Sequence, residues 1–322
     1  MSFTLVLVPP APQETRTWPE RLVQAVPGID VLVPRGPEDV AAALGRADAA
    51  YGALTPELLA AADQLRWLQA PQAGPPPGFY HPSLVRHPVQ VTNMRDTYTD
   101  HVAAHTLALV LALARQIPRY VRDQSAAHWA PDWSDGAVVA LGEARALVVG
   151  TGAVGAETGR LLAAFGSRVD GVDARVTTPP PGFGRIVAPD RLDEVLGEAD
   201  IVIVTVPHTP RTEGLFDAGR FAAMKRGACL VNVGRGPTVR LDDLVAALDT
   251  GQLRGAALDV MEREPLPAGH PLWHHPRALI TPHVAGAGPH AAERRFDVLA
   301  ENAQRFAAGR PLINVVDKAQ WF

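Results

Sequence analysis

Ala146-Leu147-Val148-Val149-Gly150-Thr151-Gly152-Ala153-Val154-Gly155, continuing through an alanine-rich segment to Phe165, is the stretch that decides the fold. Four apolar residues of strand character run into Gly-x-Gly-x-x-Gly, and then Val154, Leu161, Leu162 and Phe165 recur on one helical face. Strand, glycine turn and helix open a βαβ unit. Gly150 permits the tight turn, Gly152 lets backbone approach a pyrophosphate, and Gly155 lets the helix lie close on the strand; Thr151, Ala153 and Val154 complete the loop, at a helix N-terminus that faces the phosphates. Alone, such a turn more often just joins two elements. Here Asp173 closes the next strand, eighteen positions after Gly155, where a carboxylate can accept from adenosine ribose hydroxyls. It also repels a 2'-phosphate, so NAD is expected over NADP, although Arg175 could soften that preference by pairing with phosphate. Asp170 is the rival acid, but it lies within the strand.

Outward from this unit the same rhythm repeats. Arg168 to Val172, Ile201 to Val206, Cys229 to Val233, Gly255 to Val260 and Ala278 to Ile280 read as strands, with a helix over Leu241 to Asp249 between two of them. Toward the N-terminus, Thr4 to Val8, Val31 to Val33 and Leu65 to Gln69 are strand-length runs, and alanine-rich helical spacing follows the first two. The expected class is therefore α/β, with two Rossmann-like, doubly wound parallel-sheet domains and a cleft between them. Asp100 to Arg115 is apolar nearly all round, as a helix packed between domains or subunits would be, and it is expected to open the second domain. Ala291 to Ala308 places Phe296, Leu299, Ala300, Ala303 and Phe306 on one face and is expected to carry the chain back to the first domain.

At 322 residues the chain is too long for one ordinary core. A net charge of -4 supplies no basic field for phosphate backbones, which excludes nucleic acid as an expected partner. No apolar stretch reaches membrane-spanning length, and the first residues, MSFTLVLVPP, lack a positively charged leader region. The single cysteine, Cys229, sits in an apolar run and can form no internal disulfide, so a cytoplasmic protein is expected.

Three further motifs follow strands: Asn232-Val233-Gly234-Arg235-Gly236-Pro237, Leu258-Asp259-Val260-Met261-Glu262-Arg263-Glu264-Pro265-Leu266-Pro267, and Thr281-Pro282-His283-Val284-Ala285-Gly286. In this order after GTGAVG they resemble the signature set of the D-isomer-specific 2-hydroxyacid dehydrogenases, of the glyoxylate/hydroxypyruvate reductase kind, and the likeness covers almost the whole chain. The resemblance implies hydride transfer between NAD(H) and a small 2-oxoacid or D-2-hydroxyacid. It implies that Arg235 holds the substrate's carboxylate and carbonyl oxygen, a task suited to a permanent forked cation. It makes His283 the acid and base, with Glu264 orienting its ring and favouring its charged form. It gives Asp259 a contact to the nicotinamide carboxamide and makes Pro207, Thr209, Thr212, Val233 and Gly234 part of the cofactor wall. Backbone amides around Ala73 and Gly74 match the family's substrate-carboxylate loop. The expected division is a substrate-binding domain, residues 1–98 completed by 286–322, and a dinucleotide-binding domain over 99–285. A homodimer is implied, expected through the helix near Leu107 to Leu113.

The chain departs from the pattern in places. Pro75, Pro76 and Pro77 follow Gly74, and proline offers no backbone N–H, so at least one amide donor of the substrate loop is missing. Ala104 replaces an acid before His105, and Arg240 replaces one after the arginine motif. Glu262 competes with Glu264, but only Glu264 directly precedes proline. His270, His274 and His275 lack a cysteine or ordered acid beside them, and no metal site is expected. Two alternatives stay open: a dinucleotide-sensing interaction protein of the same fold, and a dehydrogenase of another small anion such as phosphite.

Overall fold

The computed structural model describes residues 2–10, 13–75 and 78–322. Pro76 and Pro77, part of the proline run singled out in the sequence, lie outside the described residues. The chain divides into two compact units, one formed by residues up to Thr97 together with Gly288–Phe322, the other by Tyr98–Ala287.

The first unit is built on five strands, β1 (Phe3–Leu7), β2 (Ile29–Leu32), β3 (Ala49–Tyr51), β4 (Trp67–Gln69) and β5 (Gln90–Thr92), all parallel in the order β2-β1-β3-β4-β5. The Ala291–Ala307 helix belongs to this unit and is tied to its sheet by a buried polar chain. Trp67 Nε1 donates to Thr92 Oγ1 (2.8 Å), Thr92 Oγ1 to Gln69 Oε1 (2.7 Å), and Asn302 Nδ2 to the same oxygen (3.1 Å). Each of these buried polar groups has a partner, as burial requires.

The second unit carries seven parallel strands: β6 (Arg145–Val149), β7 (Arg168–Val172), β8 (Phe183–Val187), β9 (Ile201–Val204), β10 (Ala228–Asn232), β11 (Leu253–Leu258) and β12 (Ala278–Ile280). Their order is β12-β11-β10-β9-β6-β7-β8. Side chains alternate across the sheet: Leu147, Val149, Val202, Val204 and Leu230 enter one core cluster, Ala146, Val148, Ile201, Ile203, Cys229 and Val231 another. Both faces are apolar because helices cover both, the normal condition of a parallel sheet. Connections run outward in opposite directions from β6 and β9, which makes the gap between them the topological switch point. All strands point the same way, so the residues that follow β6, β7, β9, β10, β11 and β12 gather at one edge.

The Thr99–Ala114 helix packs one side on the sheet of its own unit. Its Leu109, Val110 and Leu113 join the core cluster there, with Leu107 packed against them, while Ala104 and Ala108 are exposed and Leu111 and Ala112 half-buried. A group of exposed large apolar side chains follows it: Ile117, Val121, Trp129 (93% exposed) and Trp133 (90%).

Candidate functional site

The glycine turn after β6 leads directly into the Ala153–Ala164 helix. Gly150 has φ +99°, a conformation that L side chains rarely adopt. A Cβ on Gly155 would stand 1.9 Å from the Gly150 carbonyl oxygen, so helix and turn approach as only glycine allows. Gly152 is the opposite case: a Cβ there would meet nothing within 4 Å. The helix has no side-chain N-cap and no acid in its first turn, which leaves N-terminal amides beside that open space. A cradle of this form fits a dinucleotide pyrophosphate.

Asp173, just past β7, is fixed by backbone donors. Its Oδ2 accepts from Thr151 N (2.7 Å), and its Oδ1 from Arg175 N (2.8 Å) and Val176 N (2.9 Å). Two carboxylate oxygens have about four acceptor sites, so capacity remains for a hydroxyl. Asp170, the rival, is paired with Arg185 Nε at 2.9 Å. On the other side of the switch point Thr205 Oγ1 donates to Gly150 O (2.5 Å), and Thr212 Oγ1 donates to Pro207 O (2.6 Å) while accepting from Thr209 N (2.8 Å). The Pro207–Thr212 turn is thereby locked on itself.

After β10, Asn232 organises the arginine loop: its Oδ1 accepts from Gly234 N (3.0 Å), and its Nδ2 donates to Arg235 O and Thr238 Oγ1, each at 3.3 Å. A Cβ on Gly234 would lie 2.6 Å from Val206 O, and one on Gly236 1.7 Å from Met261 O, so this loop is wedged between its neighbours. Arg235, half-buried, donates from Nη1 to Gly234 O (2.6 Å). Burial lowers its pKa from the ordinary guanidinium value, and the negative charge of Glu264 and the Tyr98 hydroxyl work against that shift.

The rivalry between the two glutamates resolves by geometry. Glu264 Oε1 accepts from Met261 N (2.9 Å), and its Oε2 lies 2.7 Å from His283 Nδ1. Glu262 turns away, taking Arg240 Nη1 and Leu241 N at 3.0 Å each. The arginine that replaced an acid after the arginine motif thus has its own carboxylate, and Glu262 supplies an acceptor for Leu241, the first residue of the next helix. His283 itself has φ +55°, a left-handed conformation uncommon for a non-glycine residue, and its N–H donates to Asp259 O (2.8 Å). Asp259, 1% exposed, accepts from Thr281 Oγ1 (2.6 Å) and Val284 N (2.9 Å) through Oδ1 and from Ala285 N (2.9 Å) through Oδ2. A buried carboxylate thus shapes the turn that bears the imidazole.

Arg235, Glu264 and His283 and the cofactor candidates from Gly150 to Asp259 all lie in the Tyr98–Ala287 unit. Ala73 and Gly74 belong to the other unit, where Ala73 O accepts from Asn93 Nδ2 (2.8 Å). His270 and His275 serve as local acceptors for Leu272 N and Arg277 N, and among the described residues no group of three or more His, Cys, Asp or Glu side chains is assembled for a metal. Sequence reasoning missed the part of Thr281 and of His105, whose Nε2 lies 3.0 Å from Thr281 Oγ1. They are 176 positions apart, and no spacing rule connects them.

Residues 107–285 match the family model described as D-isomer specific 2-hydroxyacid dehydrogenase, NAD binding domain. A hydroxypyruvate reductase of Blautia hydrogenotrophica is 30% identical over 71% of this chain and 72% of that protein. Among solved structures, a D-isomer-specific 2-hydroxyacid dehydrogenase of Xanthobacter autotrophicus, in complex with NADPH and MES, is 31% identical with a TM-score of 0.85 and covers 100% of both chains. An NADPH-dependent glyoxylate/hydroxypyruvate reductase of Sinorhizobium meliloti, in complex with NADP and sulfate, is 28% identical with a TM-score of 0.83, again over 100% of both chains.

Proposed function

Since the chain belongs to the D-isomer-specific 2-hydroxyacid dehydrogenase family, we propose that it reduces a small 2-oxoacid to the D-2-hydroxyacid, with Arg235, Glu264 and His283 as its catalytic residues. The observation that carries the reading is the 2.7 Å contact between Glu264 Oε2 and His283 Nδ1. That contact leaves Nε2 of the imidazole available to a substrate oxygen. When bound, the nicotinamide cofactor supplies the hydride. Arg235 holds the carboxylate and polarises the carbonyl, its fork geometry suiting two oxygens at once. His283 gives the proton from Nε2 to the carbonyl oxygen, and Glu264 stabilises the ring's positive charge before that transfer. In the reverse direction neutral His283 removes the hydroxyl proton.

For the cofactor, the open space at Gly152 and the free helix amides support binding of the pyrophosphate across Gly150, Thr151, Gly152, Ala153, Val154 and Gly155. Asp173 beside them supports NADH over NADPH, because a 2'-phosphate would meet a fixed carboxylate. Pro207, Thr212, Val233 and Gly234 would form the neighbouring wall of the cofactor site, with Asp259 assigned to the nicotinamide carboxamide. The substrate class follows the named relatives, glyoxylate and hydroxypyruvate being the first candidates. The unit that holds Ala73 and Gly74 is assigned to substrate recognition. The enzyme is further proposed to be cytoplasmic, in keeping with a lone buried thiol, and homodimeric, with exposed Trp129 and Trp133 as apolar surface for a second copy.

The test follows NADH absorbance with a panel of 2-oxoacids for wild type, His283→Asn and Glu264→Gln. Loss of general acid help is expected to lower kcat by about 10²- to 10⁴-fold in His283→Asn while NADH affinity stays within a few fold. Tight NADH binding by the wild type with no turnover of any 2-oxoacid would overturn the catalytic assignment.

A further inference from the structure

His105 projects from the middle of the Thr99–Ala114 helix, far in sequence from every motif of the proposed site. Its Nε2 lies 3.0 Å from Thr281 Oγ1, and the same hydroxyl donates to Asp259 Oδ1 at 2.6 Å. The direction of this chain is fixed from its far end. Both oxygens of the buried Asp259 carboxylate accept backbone N–H groups, from Val284 and Ala285, and backbone amides cannot reverse their role. A carboxylate so engaged accepts from Thr281 as well. A threonine has one hydroxyl hydrogen, and this one is spent on Asp259, so toward His105 the oxygen only accepts. The imidazole must therefore carry its proton on Nε2. That same nitrogen is 3.6 Å from Asp259 Oδ1, which adds a favourable charge–dipole contact with the buried carboxylate.

The residues at the end of this chain are the ones that present His283. Thr281 precedes it by two positions, Val284 and Ala285 follow it, and its own N–H is bound by Asp259 O, all while its backbone sits at φ +55°. Such a conformation persists only where the surroundings over-determine it. We propose that His105 is a positioning residue of the site: as the Nε2–H donor at the head of a one-way relay through Thr281 to Asp259, it holds the 281–285 turn so that His283 meets Glu264 and the substrate oxygen. The proposal rests on His283 being the proton donor of the reaction assigned above. It predicts that the donor matters, and not merely the bulk at position 105.

Four variants of the full chain separate these possibilities: His105→Gln, which keeps an N–H able to reach Thr281; His105→Leu, which fills space without one; Thr281→Ser, which keeps the hydroxyl; and Thr281→Val, which removes it at equal size. A misplacement of about 1 Å costs up to roughly 10²-fold, so His105→Leu and Thr281→Val should lose about 10- to 100-fold in kcat with KM nearly unchanged. His105→Gln and Thr281→Ser should recover to within a few fold of wild type. Nitrogen-15 spectra of the histidine rings give a readout that needs no turnover: His105 should carry its proton on Nε2, and the His283 signals should shift in His105→Leu. An Nδ1–H tautomer at His105, or equal impairment of Gln and Leu, overturns the relay. If the wild type turns over no 2-oxoacid, the assigned reaction fails, while the ring spectra still decide the relay. Should His105→Leu not fold, the Thr281 pair decides alone.

Discussion

Replacing Gly155 and Gly152 one at a time by alanine separates the two tasks assigned to the glycine turn. At Gly155 the new methyl carbon would lie 1.9 Å from Gly150 O, 2.9 Å from Thr205 Oγ1 and 3.0 Å from Gly150 C. Ordinary carbon–oxygen contacts begin near ~3.3 Å, so the helix must retreat from the turn by about 1 Å or more. The obstacle is backbone, and no rotamer change relieves it. Overpacking of this kind costs about 1–3 kcal/mol, and the upper end applies here because two backbone segments must move. For a domain of about 150–250 residues each kcal/mol lowers Tm by roughly 2–4 °C, which puts the expected loss at about 6–12 °C. Gly152→Ala has the opposite signature. Its φ of -64° and ψ of -171° suit alanine, and the methyl enters open space, so Tm should stay within about 2 °C of wild type. What it should lose is cofactor: the methyl occupies the approach of the pyrophosphate, and NADH affinity should fall by about tenfold or more, or ~1.4 kcal/mol. Differential scanning fluorimetry and NADH fluorescence titration read the two effects separately. Wild-type NADH affinity in Gly152→Ala, or a Tm loss as large as that of Gly155→Ala, would refute the proposed placement of the phosphates.

Replacing Asp173 by serine removes the charge that opposes a 2'-phosphate while leaving a small acceptor; the ratio of kcat/KM for NADH over NADPH should fall about tenfold or more, and an unchanged ratio would detach cofactor choice from this carboxylate. Cys229 has its thiol pushed up to about 11, first by burial, with Asp200 adding to the rise and Arg254 opposing it. The native thiol should therefore resist iodoacetamide at pH 8 and react once the chain is unfolded. Because the folded state disfavours the thiolate, its contribution to stability is complete below the unfolded pKa near ~8.5 and is lost as pH rises toward 11, so urea melts should weaken over that window. Replacing Trp129 and Trp133 together by serine should convert a dimer to monomer in sedimentation at micromolar concentration; a wild type that sediments as a monomer would remove the need for a partner there.

The second sheet was legible because most of its strands repeat one physical pattern, a short, mainly apolar run closed by glycine or a polar residue. β6, β7, β9, β10, β11 and β12 all fall on runs visible in the sequence. β8 was not visible: Phe183–Val187 includes Gly184 and Arg185, is half exposed and pairs only with β7, so burial imposes little composition on it. The three-residue β3 and β5 in the first unit are too short to show a period. The Thr99–Ala114 helix was recognised, but its partners were not, since an all-round apolar surface says that a helix is covered and not by what.

By itself the sequence determined the fold class, the glycine turn and its acid, and the order of the arginine, glutamate and histidine motifs, because each is a local signal that a few adjacent residues carry. Only the tertiary structure decided that Glu262 is spent on Arg240 and Leu241, that Asp259 spends its carboxylate on the 281–285 turn, and that His105 reaches the same turn from another element. Hydrogen bonds are short-ranged and directional, so partners that are distant along the chain become definite only once parallel strands bring their ends to one edge.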